Sequence, residues 1–211
     1  MLLVETSCFL MLNFLQTNYA VGTNGVKEIR LMRPGYQHNT PQIFRTAYLN
    51  AMSPFSTLRF MDYLSTNNSD NGYPNITTWS DRQQPDAPRF TNGAPWETII
   101  ALVNYTCRDI WINIPMDADS MYVVQLATLM NAMLRPEINI YIEYSNEVWN
   151  GSFTQYQYNY DAVLLSPEDA DIRASTSWDD RRRARRTAKQ VIKFGNIFEN
   201  VMGVTVASRT K

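Results

Sequence analysis

The chain has 211 residues, 45% hydrophobic and 18% charged, with 19 Lys and Arg against 20 Asp and Glu for a net charge of −1. That length buries a sizeable core in one domain or slightly more, and the composition excludes a disordered chain. The charge balance argues against a dedicated nucleic-acid binder, and no apolar run reaches the length of a membrane span.

Residues 1–22 form a largely apolar segment, interrupted by Glu5 and Asn13 and without a basic start. It reads as a weak or damaged signal peptide or as an N-terminal packing segment. From residue 23 to 211 strand and helix patterns alternate. VKEIRLM (26–32) is a first strand, closed by Pro34-Gly35, and residues 41–52 follow with apolar side chains at helical spacing. TLRFMDYL (57–64) is a second strand, and a polar loop runs from about Ser65 to Gly93. Pro95 opens a helix with Trp96, Ile99, Ile100 and Val103 on one face. DIWINIP (109–115) is a third strand, after which Asp117 and Asp119 stand where acids favour a helix start. The helix they begin runs to Pro136, and INIYIEY (138–144) is the fourth strand. A Tyr-rich loop is expected up to Thr176. Ser177 and Asp180 then suggest a capping box, and Ala184, Ala188, Val191, Gly195, Phe198 and Met202 form the expected apolar stripe of a last helix. VTVAS (204–208) completes five strands.

Helices between consecutive strands call for a parallel sheet with right-handed crossovers. No G-x-G-x-x-G follows a strand and no P-loop occurs, so no nucleotide cofactor is indicated. The sequence has one histidine, His38, and two cysteines, Cys8 and Cys107. A zinc site built on several His and Cys ligands lacks its ligands. The two cysteines form one disulfide or remain two thiols; the spacing does not choose. Four glycosylation sequons, at Asn67, Asn75, Asn104 and Asn150, hardly exceed the roughly three that residue frequencies give by chance.

Strand alternation assigns faces. In the fourth strand Ile138, Ile140, Ile142 and Tyr144 share one parity, while Tyr141, Glu143, Ser145 and Glu147 share the other. In the third, Ile110, Ile112 and Ile114 oppose Trp111 and Asn113; in the second, Leu58 and Phe60 oppose Arg59. The apolar set suits a helix-covered outer face and the polar set the inside of a barrel. The expected fold class is therefore α/β, a partial (β/α) barrel of the TIM type holding strands one to five of eight. Arg59 and Glu143, both on the inner parity, are predicted to meet.

YIEYSNEVWNGSF (141–153) resembles the fourth-strand motif of the clan A glycoside hydrolases, an Asn-Glu pair at the end of strand four. Residues 44–69, 95–104, 109–115 and 140–150 are similar to a set of secreted, cellulase-like barrel proteins, some labelled cellulose-binding. The resemblance implies Glu147 as catalytic acid/base and Asn146 as the neighbour that orients a sugar hydroxyl. It also implies a poly- or oligosaccharide partner, an extracellular location and no cofactor or metal. In such enzymes a second carboxylate, the nucleophile, stands about 5–5.5 Å away when configuration is retained. In the clan it comes from strand seven, beyond the end of this chain, so the missing strands are expected from a longer parent and the isolated chain is predicted not to hydrolyse glycosides. Where relatives carry His after the third strand, this chain has Met116.

Around this pair, Trp149 reads as a sugar platform or an exposed ring, Asn113 as a polar group at the barrel mouth, Trp111 as core filler or a substrate contact, and Arg59 as a structural ion-pair partner or a substrate ligand. Asn113 and Trp149 are expected to share a pocket with Glu147. The DDRRRARR run (179–186) reads as a solvated helix face. Two alternatives to a hydrolase-like protein remain open: a non-catalytic carbohydrate-binding barrel, and an inactive truncated product.

Overall fold

The computed structural model describes residues 32, 34–67, 76–87, 89–175 and 179–203. Two compact units divide the chain, Met1–Ile43 and Phe44–Lys211. In the first, the described stretch turns at Pro34-Gly35, with Gly35 at φ +88°, and turns again where the Thr40 N–H meets the Gln37 carbonyl at 3.1 Å. All described helices and strands lie in the second unit.

That unit begins with helix α1, Thr46–Met52, then strand β1, Thr57–Arg59. Helix α2, Trp96–Thr106, carries the expected Trp96, Ile99, Ile100 and Val103 face into the core and stops at Cys107, which takes the left-handed conformation and donates its N–H to the Val103 carbonyl. Strand β2 is Asp109–Ile114. Helix α3, Ser120–Met133, starts where Asp119 accepts the Tyr122 N–H at 2.6 Å, an acidic N-cap of the expected kind. Strand β3 is Ile140–Tyr144. Three helices follow in succession: α4, Thr154–Leu165; α5, Ala170–Ser175; and α6, Asp179–Met202.

The strands pair in parallel in the order β1-β2-β3, with Arg59 opposite Trp111 and Trp111 opposite Tyr141. The register is pinned at its lower end by the Asp109 carboxylate, which accepts the Asn139 backbone N–H at 2.9 Å and its side-chain amide at 3.1 Å. Leu58, Ile110, Ile112, Ile114, Ile140 and Tyr144 are buried in one core with Ile99, Val103, Leu126, Met130, Phe194 and Phe198.

This architecture corrects the expected barrel. Among the described residues the sheet has three strands, not five, and the structure is about 52% helical. The strands expected at 26–32 and 204–208 lie outside the described residues. Among the described residues the chain does not return to the sheet after β3. It runs through α4 and α5 into α6, which packs on α3, α4 and β3.

Helix α4 occupies part of the segment read as loop. Its buried positions are Gln155, Asn159 and Val163 at i, i+4 and i+8, so its inward stripe is mostly amide and gives no hydrophobic period. The stripe expected for α6 is also displaced. Ala184, Ala188 and Val191 face solvent, while Arg183, Arg186, Gln190, Phe194, Phe198 and Met202 are buried. The basic run is therefore not wholly a solvated face. Arg183 stacks on Tyr156 with its guanidinium 3.8 Å from the ring centre, and Arg186 pairs with buried Asp169 at 3.2 Å. Long cationic side chains bury their stems this way when aromatic rings and a carboxylate receive the head. The capping Ser177 lies outside the described residues.

Candidate functional site

The polar parity of the strands forms the sheet face opposite the buried isoleucines. Its central row is Arg59, Trp111 and Tyr141, one residue from each strand in register. The Trp111 ring is 38% exposed and lies 6.2 Å from the Tyr141 ring, tilted by 36°. The Arg59 guanidinium sits 5.2 Å from the Trp111 ring centre.

Above this row, Arg59 and Glu143 meet as predicted. Arg59 Nη2 donates to both carboxylate oxygens, at 3.0 and 2.8 Å, and Nε adds a bond of 3.1 Å to Oε2. Trp111 Nε1 donates to the same Oε2 at 2.9 Å. A carboxylate receiving a forked guanidinium and an indole N–H is held in one orientation. Glu143 is thus committed to the sheet face as a structural group, and the pair is partly open to solvent, with side chains 36% and 28% exposed.

Asn146 joins this cluster. Its Oδ1 accepts from Arg59 Nη2 at 2.8 Å, and its Nδ2 donates to Asn67 Oδ1 at 3.1 Å. Gln155 Nε2, from α4, donates to Asn67 Oδ1 at 2.8 Å and to the Asn146 carbonyl at 2.7 Å. The loop after Thr66, the end of β3 and the start of α4 are therefore tied through three amides. Nothing in the hydrophobic pattern reveals this network. The available signal was a Gln and an Asn four apart in a Tyr-rich segment, of which the Asn also meets the buried Tyr144 hydroxyl at 2.9 Å.

Glu147 does not continue the parity of Tyr141 and Glu143. Ser145 and Glu147 both take left-handed backbone conformations, φ +55° and +42°, so the alternation ends at Tyr144. Asn146 rather than Glu147 reaches the Arg59 cluster. Glu147 is partly exposed, and its Oε2 accepts from Asn150 Nδ2 at 2.9 Å within a turn closed by the Asn150 N–H on the Glu147 carbonyl. Trp149 is 72% exposed. Asn113, 1% exposed, donates from Nδ2 to the Ser145 carbonyl at 2.7 Å and lines a cavity with Arg82, Trp96 and Tyr122. The contacts set Arg59, Trp111, Glu143 and Asn146 together, Glu147 against Asn150, and Asn113 at a cavity whose lining does not include Glu147 or Trp149. Trp79 is a loop anchor, edge-on to Tyr122 at 5.2 Å with Arg82 stacked 4.4 Å from its ring.

A further carboxylate, Asp117, lies just beyond β2 and accepts from Thr77 Oγ1 at 3.0 Å. Burial raises its pKa above the ordinary value, against the lowering effect of the Thr77 bond. Asp81 nearby is held below the ordinary range by the Thr78 N–H, which its carboxylate accepts as one half of a capping box, and by the Thr78 hydroxyl. Burial keeps the Tyr122 and Tyr144 phenols firmly protonated. Met116, where a histidine was expected from the resemblance, packs against the core, and its carbonyl lies 2.8 Å from the Tyr144 hydroxyl. Among the described residues no group of three His, Cys, Asp or Glu side chains is placed to hold a metal ion. No described helix is long and apolar enough to cross a membrane.

Fold and site together define an α/β protein with a short parallel sheet, one face packed by helices and the other carrying an aromatic-cationic row. Comparison with family models, curated proteins and solved structures finds no match to this chain.

Proposed function

We propose that the chain is a carbohydrate-active protein that binds a saccharide on the open face of its sheet. The observation that carries this reading is the row of Arg59, Trp111 and Tyr141, with Glu143 and Asn146 at its upper edge. Exposed aromatic rings offer flat apolar surface to the C–H faces of a sugar ring, and flanking charged and amide groups offer donors and acceptors to its hydroxyls. Arg59 and Glu143 orient one another, so few rotamers are lost when a ligand arrives. Trp149, exposed beyond the strand, supports an adjacent contact.

A hydrolytic reading stands second and rests on Glu147. The side chain is partly open to solvent and follows Asn146 in the Asn-Glu order of the motif. Its role would be to protonate a leaving glycosidic oxygen, which also requires a partner carboxylate. Glu143 is a poor partner, because Arg59 and Trp111 hold its oxygens.

The test is titration of the full chain with soluble β-linked and α-linked oligosaccharides, followed by tryptophan fluorescence and calorimetry. Saturable binding is expected, weakened at least tenfold in Trp111→Ala. Binding absent from every saccharide, or unaltered in Trp111→Ala, would sink the sheet-face reading. For the second reading, aryl glycosides with good and poor leaving groups are the substrates. If turnover is seen, Glu147→Gln should slow the poor leaving groups most, since those need the proton.

A further inference from the structure

At the upper end of β2 a cavity of about 10 Å³ lies among Asn113, Arg82, Trp96 and Tyr122, close to the smallest volume that holds one water-sized group. Three features of its walls are polar and incompletely used. Asn113 spends its Nδ2 on the Ser145 carbonyl, but its Oδ1 is buried and receives no hydrogen bond. Arg82 spends Nη2 on Glu97 at 2.9 Å and Nη1 on the Gln83 carbonyl at 3.1 Å, leaving Nε–H buried and unbonded. The Tyr122 hydroxyl oxygen accepts from Trp96 Nε1 at 2.8 Å, and no bond uses its proton. A buried amide oxygen or guanidinium N–H without a partner is destabilising, because the water it gives up on burial is not replaced. Several such groups around one small cavity point to a shared ligand.

We propose that this cavity is a binding subsite for a single hydroxyl group. The hydroxyl oxygen accepts from Arg82 Nε–H and from the Tyr122 O–H, and its proton goes to Asn113 Oδ1. Two donors and one acceptor meet the usual requirement of two to four bonds for a buried hydroxyl. Anions do not suit the site, because Asn113 turns an acceptor toward it and Arg82 is already neutralised by Glu97. An apolar group would leave all three polar atoms unsatisfied. The hydroxyl belongs either to a water molecule or to a small polyol, and both make the same bonds. Its consequence reaches the Asn146 cluster, because Asn113 holds the backbone of Ser145, the residue before Asn146.

The test is crystallography of the full chain at a resolution that shows ordered solvent, in polyol-free medium and after soaking in ethylene glycol. In solution, water-to-protein Overhauser transfer at the Trp96 indole N–H is read alongside. An isolated oxygen-sized peak bonded to Asn113 Oδ1 and Arg82 Nε, with transfer of the sign of a long-lived water, supports the site with water as occupant. Density that appears only with ethylene glycol supports it with a polyol hydroxyl. Asn113→Leu should abolish either signal where the variant folds, and the wild-type measurements decide where it does not. An empty cavity in both crystals, without Overhauser transfer, would overturn the proposal.

Discussion

At Ser145 and Glu147 the backbone occupies the left-handed region, where a side chain of L configuration costs about 1–2 kcal/mol relative to the right-handed one. These two residues turn the chain out of β3 and deliver Asn146 to Arg59. Glycine removes that cost, so Glu147→Gly should stabilise the fold by about 1 kcal/mol in urea denaturation. A loss of stability would mean that the Asn150–Glu147 bond outweighs the backbone strain. Across the sheet, the Arg59–Glu143 pair has forked geometry but partial exposure, which takes it out of the fully buried class. A double-mutant cycle with Arg59→Met and Glu143→Gln should give a coupling of about 1–2 kcal/mol, above the usual exposed pair and below the ~3–5 kcal/mol of breaking a buried one. A coupling near zero would show that Trp111 and Asn146 hold the two side chains without any help from their charges.

Helices α4 and α6 show how an element can hide its inward face. In α4 the buried Asn159 bonds Tyr144 and the helix backbone, and Gln155 Nε2 donates to Asn67 and Asn146. That leaves Gln155 Oε1 as the one buried amide atom of the pair without a hydrogen bond, so most of the cost of burying these amides is offset. In α6 the first half buries arginine and the second half phenylalanine. Asp169, fully buried at the turn before α5, faces Arg186 at 3.2 Å and Lys189 at 3.6 Å, yet neither of its oxygens accepts a well-aligned hydrogen bond. Its stabilisation is mainly Coulombic. Arg186→Ala should therefore destabilise the protein by about 3–5 kcal/mol, because it leaves a buried carboxylate with only the more distant lysine. The pair replacement Arg186→Met with Asp169→Leu should recover most of that loss in thermal denaturation. Failure to recover would assign the role of Arg186 to its stacking on Tyr158, 5.8 Å from the ring centre, rather than to charge.

The stability of the whole molecule carries opposite pH terms from two neighbouring carboxylates. Asp117 has a folded pKa raised by burial above the ordinary 3.8. The folded state then binds its proton more tightly than the unfolded chain does. This term lowers stability as pH rises through 3.8 toward the raised value, and the loss is complete above it. Asp81, held low chiefly by the Thr78 backbone bond, acts in reverse: its stabilisation is present above 3.8 and is lost as pH falls through its depressed folded value. Asp117→Asn keeps an acceptor for Thr77 and cannot ionise. Its melting temperature relative to wild type should climb between about pH 3 and pH 7. A constant difference over that range would show that the Asp117 carboxyl titrates alike in both states.

The sequence by itself determined the three parallel strands, their face assignments, the Asp119 helix start, the α2 face and the meeting of Arg59 with Glu143. Each follows from a short-range period or a cap, which local residues encode. It did not determine α4, the buried side of α6 or the end of β3. Those depend on partners distant in the chain: amides that replace an apolar stripe, tyrosines that receive arginine stems, and a left-handed Ser145 that stops the alternation one residue after Tyr144. The extrapolation from alternating elements to a barrel failed for a related reason. Local periods specify what each segment is, whereas the packing of α6 against β3, α3 and α4 decides where the chain goes after the third strand.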